Sequence, residues 1–297
     1  MDAAEARRFI EAADARAEHA VTGSEGGRVV WRLFGAGPPL VLLHGGFGSW
    51  LHWLPMVERL EGRFRLLLPD MPGLGDSDPV PPDATPALLA DRLAAGLAEL
   101  APAPAPIHVA GFSFGGLVAV HLARRLDAQL AGLVLVAGGG LGEERDAVDL
   151  RSRRPGMSEG EMRSVAAHNL KVFMIADPAR VDALAVEIQH CNTRRRPELN
   201  SRVFSRTRDA LGMLKAVKAP VGAVWGTRDP TVGEHLAERR RAVEAACPGA
   251  LTAALPGCGH WIMQERPVEL AAFLMRTFEP GTFGPATGGK HGGQPGP

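Results

Sequence analysis

Two patterns alternate along the chain. Short runs of consecutive apolar residues are followed by longer stretches in which apolar side chains return every three or four positions. The runs predict buried strands near 40–43, 64–68, 107–110, 133–136, 221–225 and 251–255, with an earlier antiparallel strand at 28–34. The stretches predict helices near 86–100, 114–126, 234–246 and 267–278. Apolar strands separated by amphipathic helices need cover on both faces of their sheet. The fold class is therefore α/β, with a mostly parallel, doubly wound sheet.

The alternation breaks once. Between the strands ending at Val136 and beginning at Val221 lie 84 residues, far more than one crossover helix needs. Helical segments are predicted inside this stretch at 159–169, 178–189 and 207–217. Residues 1–26 read as an amphipathic N-terminal helix. They carry no apolar core of the kind a secretory signal has. Residues 280–297 are rich in Gly and Pro without hydrophobic period, which predicts a disordered tail.

Composition narrows the function classes. Lysine plus arginine equals aspartate plus glutamate at 33 each, so no global field recruits nucleic acid or an anionic membrane. No apolar run approaches the ~20 residues of a membrane span. The 3 cysteines, Cys191, Cys247 and Cys258, are odd in number and lack metal-ligand spacing. They point to a reduced, cytoplasmic protein with no metal site. The partner expected is a small-molecule substrate, and the N-terminal helix and the surface of the inserted segment are candidate contacts for a homodimer.

The chemistry starts at Gly111-Phe112-Ser113-Phe114-Gly115-Gly116, where a strand runs into a helix. A turn this sharp brings its two arms together, so glycines must flank the serine, and the strain lifts its hydroxyl clear of the sheet. A serine hydroxyl needs a base, and the base needs an orienting acid. Past the strand ending at Gly226 stands Asp229, and past the strand ending at Leu255 stands His260, on the Gly-rich run Pro256-Gly257-Cys258-Gly259-His260-Trp261. The chain order Ser113, Asp229, His260 is the one this type of elbow predicts. His108 falls inside a strand, and His121, His168, His190 and His235 fall on predicted helices, where packing or solvation explains them. Asp229 could also cap the following helix, but the strand at 133–136 ends in glycines and offers no rival carboxylate. A third component is expected at His44-Gly45-Gly46-Phe47-Gly48. A backbone N–H there, at Gly46 or Phe47, would join that of Phe114 as an oxyanion hole. His44 is expected to brace this loop by hydrogen bonding.

These motifs, together with Pro69-Asp70-Met71-Pro72-Gly73-Leu74-Gly75-Asp76-Ser77, resemble those of the α/β-hydrolase superfamily over about residues 27–279. The resemblance implies a core of residues 27–142 and 209–279 with a helical cap at 143–208 over the site. It implies a cofactor-free serine hydrolase acting by acyl transfer on a small, largely apolar carboxylic ester. Phe112, Trp261, Trp50 and Phe173 are the candidate substrate-binding residues. The stretch 151–208 carries twelve basic residues against six acidic ones. A solvated surface explains this excess, and a cap arginine holding a substrate carboxylate is the sharper reading. Within the superfamily the chain is similar to the meta-cleavage-product hydrolases, which cleave carbon–carbon bonds in vinylogous diketo acids. That subgroup has Asn where this chain has Phe112, so such cleavage is the alternative rather than the first reading. A non-catalytic ligand-binding member of the fold is the second alternative.

Overall fold

The computed structural model describes residues 1–142, 145–194 and 199–279. The tail expected at 280–297, and Arg195 and Arg196 of the basic stretch, lie outside the described residues. Eight strands form one sheet: β1 (Glu18–Thr22), β2 (Val29–Phe34), β3 (Pro39–Leu43), β4 (Arg65–Pro69), β5 (Ile107–Phe112), β6 (Leu130–Val136), β7 (Val221–Gly226) and β8 (Leu251–Leu255). Their order is β1-β2-β4-β3-β5-β6-β7-β8. β2 runs antiparallel to both β1 and β4, and every later pairing is parallel.

The helices are α1 (Ala3–Arg16), α2 (Val57–Leu60), α3 (Pro86–Leu100), α4 (Phe114–Leu126), α5 (Glu159–Asn169), α6 (Ala183–Asn192), α7 (Ser201–Ser205), α8 (Asp209–Leu214), α9 (Leu236–Ala246), α10 (Ile262–Glu265) and α11 (Pro267–Phe278). They divide the core into two apolar layers. Alternate residues of one strand serve opposite layers, as the strand period of two requires. In β5, Ile107 and Val109 meet α3 and α4, while Ala110 and Phe112 meet the layer built from α11 and the segment after β3.

The N-terminal segment differs from the helix expected over 1–26. α1 ends at Arg16, and residues 18–22 become β1, paired to β2 from Glu18↔Leu33 to Thr22↔Val29. β1 is an edge strand with only Thr22 buried, so it carries no apolar alternation to betray it. Thr22 is buried because its hydroxyl accepts the Trp31 indole N–H at 2.8 Å. The segment predicted at 178–189 also resolves differently, into a single 3-10 turn at Pro178–Arg180 and then α6. Asp182 starts α6 by accepting the Ala185 N–H at 2.8 Å.

α1 leans on both the core and the inserted helices. Its Asp14 bonds Arg32 of β2 at 3.0 Å, and its Arg7 reaches Glu187 of α6 at 3.3 Å. Glu187 is fully buried and takes a second arginine, Arg163 of α5, at 2.8 Å. Arg32 is the corresponding centre in the core. Besides Asp14 it contacts Asp70 at 2.9 Å and Asp76 at 2.6 Å, and Asp70 is itself buried. Burial pushes the Asp70 carboxyl up to about 6, with the Arg32 charge pulling it back down. Breaking a buried pair by removing one partner strands the other charge and costs about 3–5 kcal/mol. Arg32→Met should therefore lower unfolding free energy by about 3 kcal/mol, read as a drop in the urea midpoint at unchanged m-value.

Candidate active site

β5 ends in a turn that no ordinary side chain adopts without strain. Ser113 sits at φ +53°, ψ −118°, and its successor Phe114 begins α4. The flanking glycines are required by contact distances. A Cβ on Gly111 would lie 2.3 Å from the Gly115 carbonyl oxygen, and one on Gly115 would lie 2.3 Å from the His44 carbonyl oxygen. The turn is pinned from β6, because the Ser113 N–H bonds the Val136 carbonyl at 2.9 Å and the Gly139 N–H bonds the Ser113 carbonyl at 2.7 Å.

The sheet order carries the other two groups to the same rim. Parallel strands β5, β6, β7 and β8 are consecutive neighbours, so the loops at their C-terminal ends lie side by side. His260 Nε2 lies 3.0 Å from Ser113 Oγ, and His260 Nδ1 lies 2.8 Å from Asp229 Oδ2. Asp229 and His260 are both buried, while Ser113 is partly exposed. With Nδ1–H donated to the carboxylate, the Nε2 lone pair faces the serine hydroxyl. The second Asp229 oxygen accepts the Thr231 N–H at 2.7 Å. The carboxylate thus fixes its own loop and the imidazole together.

The His260 loop is anchored to the inserted segment. Glu265 of α10 is buried, and its carboxylate accepts the N–H groups of Gly259 at 2.6 Å, Ala176 at 3.0 Å and Asp177 at 2.8 Å. The Trp261 N–H also bonds the Met174 carbonyl at 2.7 Å. These bonds hold Phe173 with its ring centroid 5.2 Å from that of His260. Phe112 flanks the same imidazole at 4.9 Å. Burial and the Glu265 charge push the neighbouring Cys258 thiol far above its usual range, so it stays protonated and is no second nucleophile.

Gly46 stands where the glycine loop at 44–48 meets the elbow. A Cβ on it would lie 2.2 Å from Ser201 Oγ of α7 and 3.6 Å from the Phe114 Cβ. Phe47 takes a positive φ of +54°, and its ring lies 5.3 Å from the Arg202 guanidinium. His44 braces this loop through both ring nitrogens. Nδ1 bonds the Gly45 carbonyl at 2.8 Å and Nε2 accepts the Met71 N–H at 2.9 Å. In a trans peptide the N–H points opposite to the C=O, so a held Gly45 carbonyl also fixes the direction of the Gly46 N–H.

Two of the expected substrate-binding residues, Trp50 and Trp261, are held by partners of their own. Trp50 packs on Phe34 at 6.0 Å and under Arg32 at 5.6 Å. It borders a cavity of about 420 Å³ shared with Ser49, Asp76, Asn192 and Arg194, which none of Ser113, Asp229 and His260 lines. Trp261 is fully buried, its indole N–H bonded to the His52 carbonyl at 2.9 Å. Sequence reading passed over His52, Glu265 and Ser201. Only His52 left a signal, being a histidine within one turn of the glycine loop. Among the described residues no group of three His, Cys, Asp or Glu side chains is arranged to hold a metal ion. No described helix is long and apolar enough to cross a membrane.

A sequence profile described as the alpha/beta hydrolase family matches residues 40–273. The chain belongs to this family. An esterase, RhEst1 from Rhodococcus, superposes with a TM-score of 0.70 at 26% identity, covering 89% of this chain and 98% of that one. The carboxylesterase CesB of Bacillus subtilis gives a TM-score of 0.69 at 20% identity over 94% of this chain and 99% of its own, a likeness of fold. In sequence, a pimeloyl-(acyl-carrier protein) methyl ester esterase from Vibrio vulnificus is 43% identical over 107 residues, 36% of this chain. The chain covers only 39% of that relative's length.

Burial pushes the His44 imidazole down to about 4, the Gly45 carbonyl holding it back in part. A histidine whose folded pKa is depressed contributes stability above its unfolded pKa, and that contribution is lost as pH falls toward the folded pKa. The window here runs from about 6.5 down to about 4. Between pH 7 and pH 4.5, wild type should therefore lose on the order of 2–3 kcal/mol more unfolding free energy than His44→Gln does. Urea denaturation of both proteins at the two pH values reads the difference.

Proposed function

We propose that the chain is a serine esterase working through Ser113, His260 and Asp229 on small carboxylic esters with a largely apolar acyl part. The observation that carries this reading is the continuous relay of 3.0 Å and 2.8 Å from a strained serine through an imidazole to a buried carboxylate. Ser113 Oγ attacks the ester carbonyl while its proton passes to His260 Nε2, and Asp229 stabilises the imidazolium. The carbonyl oxygen becomes an oxyanion between the N–H groups of Phe114 and of Gly46 or Phe47. The bond to the alcohol breaks as His260 returns the proton to the leaving oxygen. Water, deprotonated by His260, then attacks the acyl-enzyme and frees the acid and Ser113.

Residues 143–208 act in this reading as a cap. Phe173, half-buried and supplied by the cap, presents aromatic surface beside His260, which favours an apolar substrate and excludes bulk water, while the buried Phe112 packs the same imidazole from the core. The ester-hydrolysing relatives support ester over carbon–carbon cleavage, as does Phe112 in the position before the nucleophile.

Wild type should hydrolyse p-nitrophenyl esters of short acids, and Ser113→Ala should lower kcat by at least about 10⁴-fold. A fluorophosphonate should label Ser113 alone by peptide mapping. Residual turnover equal to wild type in Ser113→Ala, or labelling elsewhere, overturns the mechanism. Turnover of dienoate diketo acids far above that of esters would replace it by carbon–carbon hydrolysis. Ligand binding without turnover in either protein would make the chain a binding member of the fold.

Phe173→Ala should raise KM for apolar esters by about tenfold, the worth of roughly 1–2 kcal/mol of aromatic contact. Steady-state kinetics across an acyl-length series checks it, and the effect should grow with acyl length.

A further inference from the structure

We infer that His52 is a positioning residue for the oxyanion hole, a neutral imidazole around which the glycine loop is wound. The inference rests on the esterase reading for its effect on rate, although the clamp itself does not. His52 lies in the 3-10 segment Trp50–Met56 and is buried. Its Nδ1 accepts the Gly45 N–H at 3.2 Å. The loop then passes directly over the ring, for a Cβ on Gly48 would lie 2.3 Å from both Nδ1 and Cε1. Glycine at 48 is thus required because the imidazole occupies the space a side chain would need. Gly45 is held at both ends, its N–H by His52 and its carbonyl by His44. The peptide that carries the Gly46 N–H is thereby fixed in direction.

The same residue touches the other two motifs. Its ring stands edge-to-face against Phe112 of the elbow at 5.3 Å and against Trp261 of the base loop at 5.6 Å. Its main-chain carbonyl accepts the Trp261 indole N–H. An acceptor at Nδ1 places the remaining ring proton on Nε2, and that atom has no hydrogen-bond partner. A buried donor without an acceptor is costly, so packing alone would favour an apolar residue at this position. Burial, with His44 and His260 nearby, pushes the ring well below its usual pKa and keeps the Nδ1 lone pair free for Gly45.

That contrast supplies the test. Asparagine at 52 places an oxygen where Nδ1 stands and keeps the bond to Gly45, whereas leucine keeps the apolar volume and loses the bond. Both variants leave the main-chain bond to Trp261 intact. If His52 positions the loop, His52→Leu lowers kcat for p-nitrophenyl esters by about 30- to 100-fold with KM within about threefold of wild type. His52→Asn then stays within about fivefold of wild-type kcat. Gly48→Ala, which drives the ring from its place, should reproduce the leucine loss. Hydrogen exchange of the amides at 44–48 should quicken in His52→Leu and stay near wild type in His52→Asn. Activity in His52→Leu equal to or above that of His52→Asn, or exchange unchanged by leucine, overturns the proposal. If wild type turns over no ester at all, the esterase reading fails, and the exchange order alone still decides the clamp.

Discussion

The close contact of three backbones at the end of β5 governs the rest of the molecule. Gly111 of β5, Gly115 of α4 and the main chain after β3 approach within distances that exclude even a methyl group. This contact forces Ser113 into its left-handed conformation and holds it against the loop at 44–48. Strain of this kind costs on the order of 1–3 kcal/mol and persists only where the surroundings over-determine it. Here they do, through bonds from β6 and from the loop that follows it. The serine is left partly exposed because the backbone beneath it has nowhere else to go.

Around this fixed point, three buried imidazoles take different parts that their partners assign. His260 has a carboxylate at Nδ1, which leaves the Nε2 lone pair facing the serine. His44 and His52 have backbone partners instead, and burial holds both neutral. A neutral imidazole offers one donor and one acceptor at a fixed angle. That suits it to hold the carbonyl and the N–H of a single glycine from two sides. The same residue type faces a serine from one loop and braces the backbone in another.

Charge does the corresponding work farther out. Arg32 gathers carboxylates from α1, the end of β4 and the following loop, and one of those, Asp70, accepts the Trp50 N–H at 2.9 Å. The segment that follows the glycine loop is thus tied to a buried ion cluster. Glu187 joins α1, α5 and α6, and Glu265 joins α10 to the stretch that carries Phe173. Each is a carboxylate buried among donors from separate segments, where removal of one partner leaves the others uncompensated.

Much of this was legible in the chain. The runs of consecutive apolar residues marked the six parallel strands: five are buried along most of their length and so lack polar alternation, while β8, expected to be buried, is half-buried at the sheet edge. The elbow, the glycine loop and the chain order of Ser113, Asp229 and His260 were legible because tight turns admit few residue types. β1 was not, since an edge strand facing solvent is chosen by its partner and not by its own pattern. Nor were His52 and Glu265, whose roles come from segments 7 and 89 positions away. Sequence determined which local conformations were available, because sterics and burial act on neighbours along the chain. Only the tertiary structure decided which polar atoms met, because a hydrogen bond between distant segments depends on the approach of backbones that no local pattern encodes.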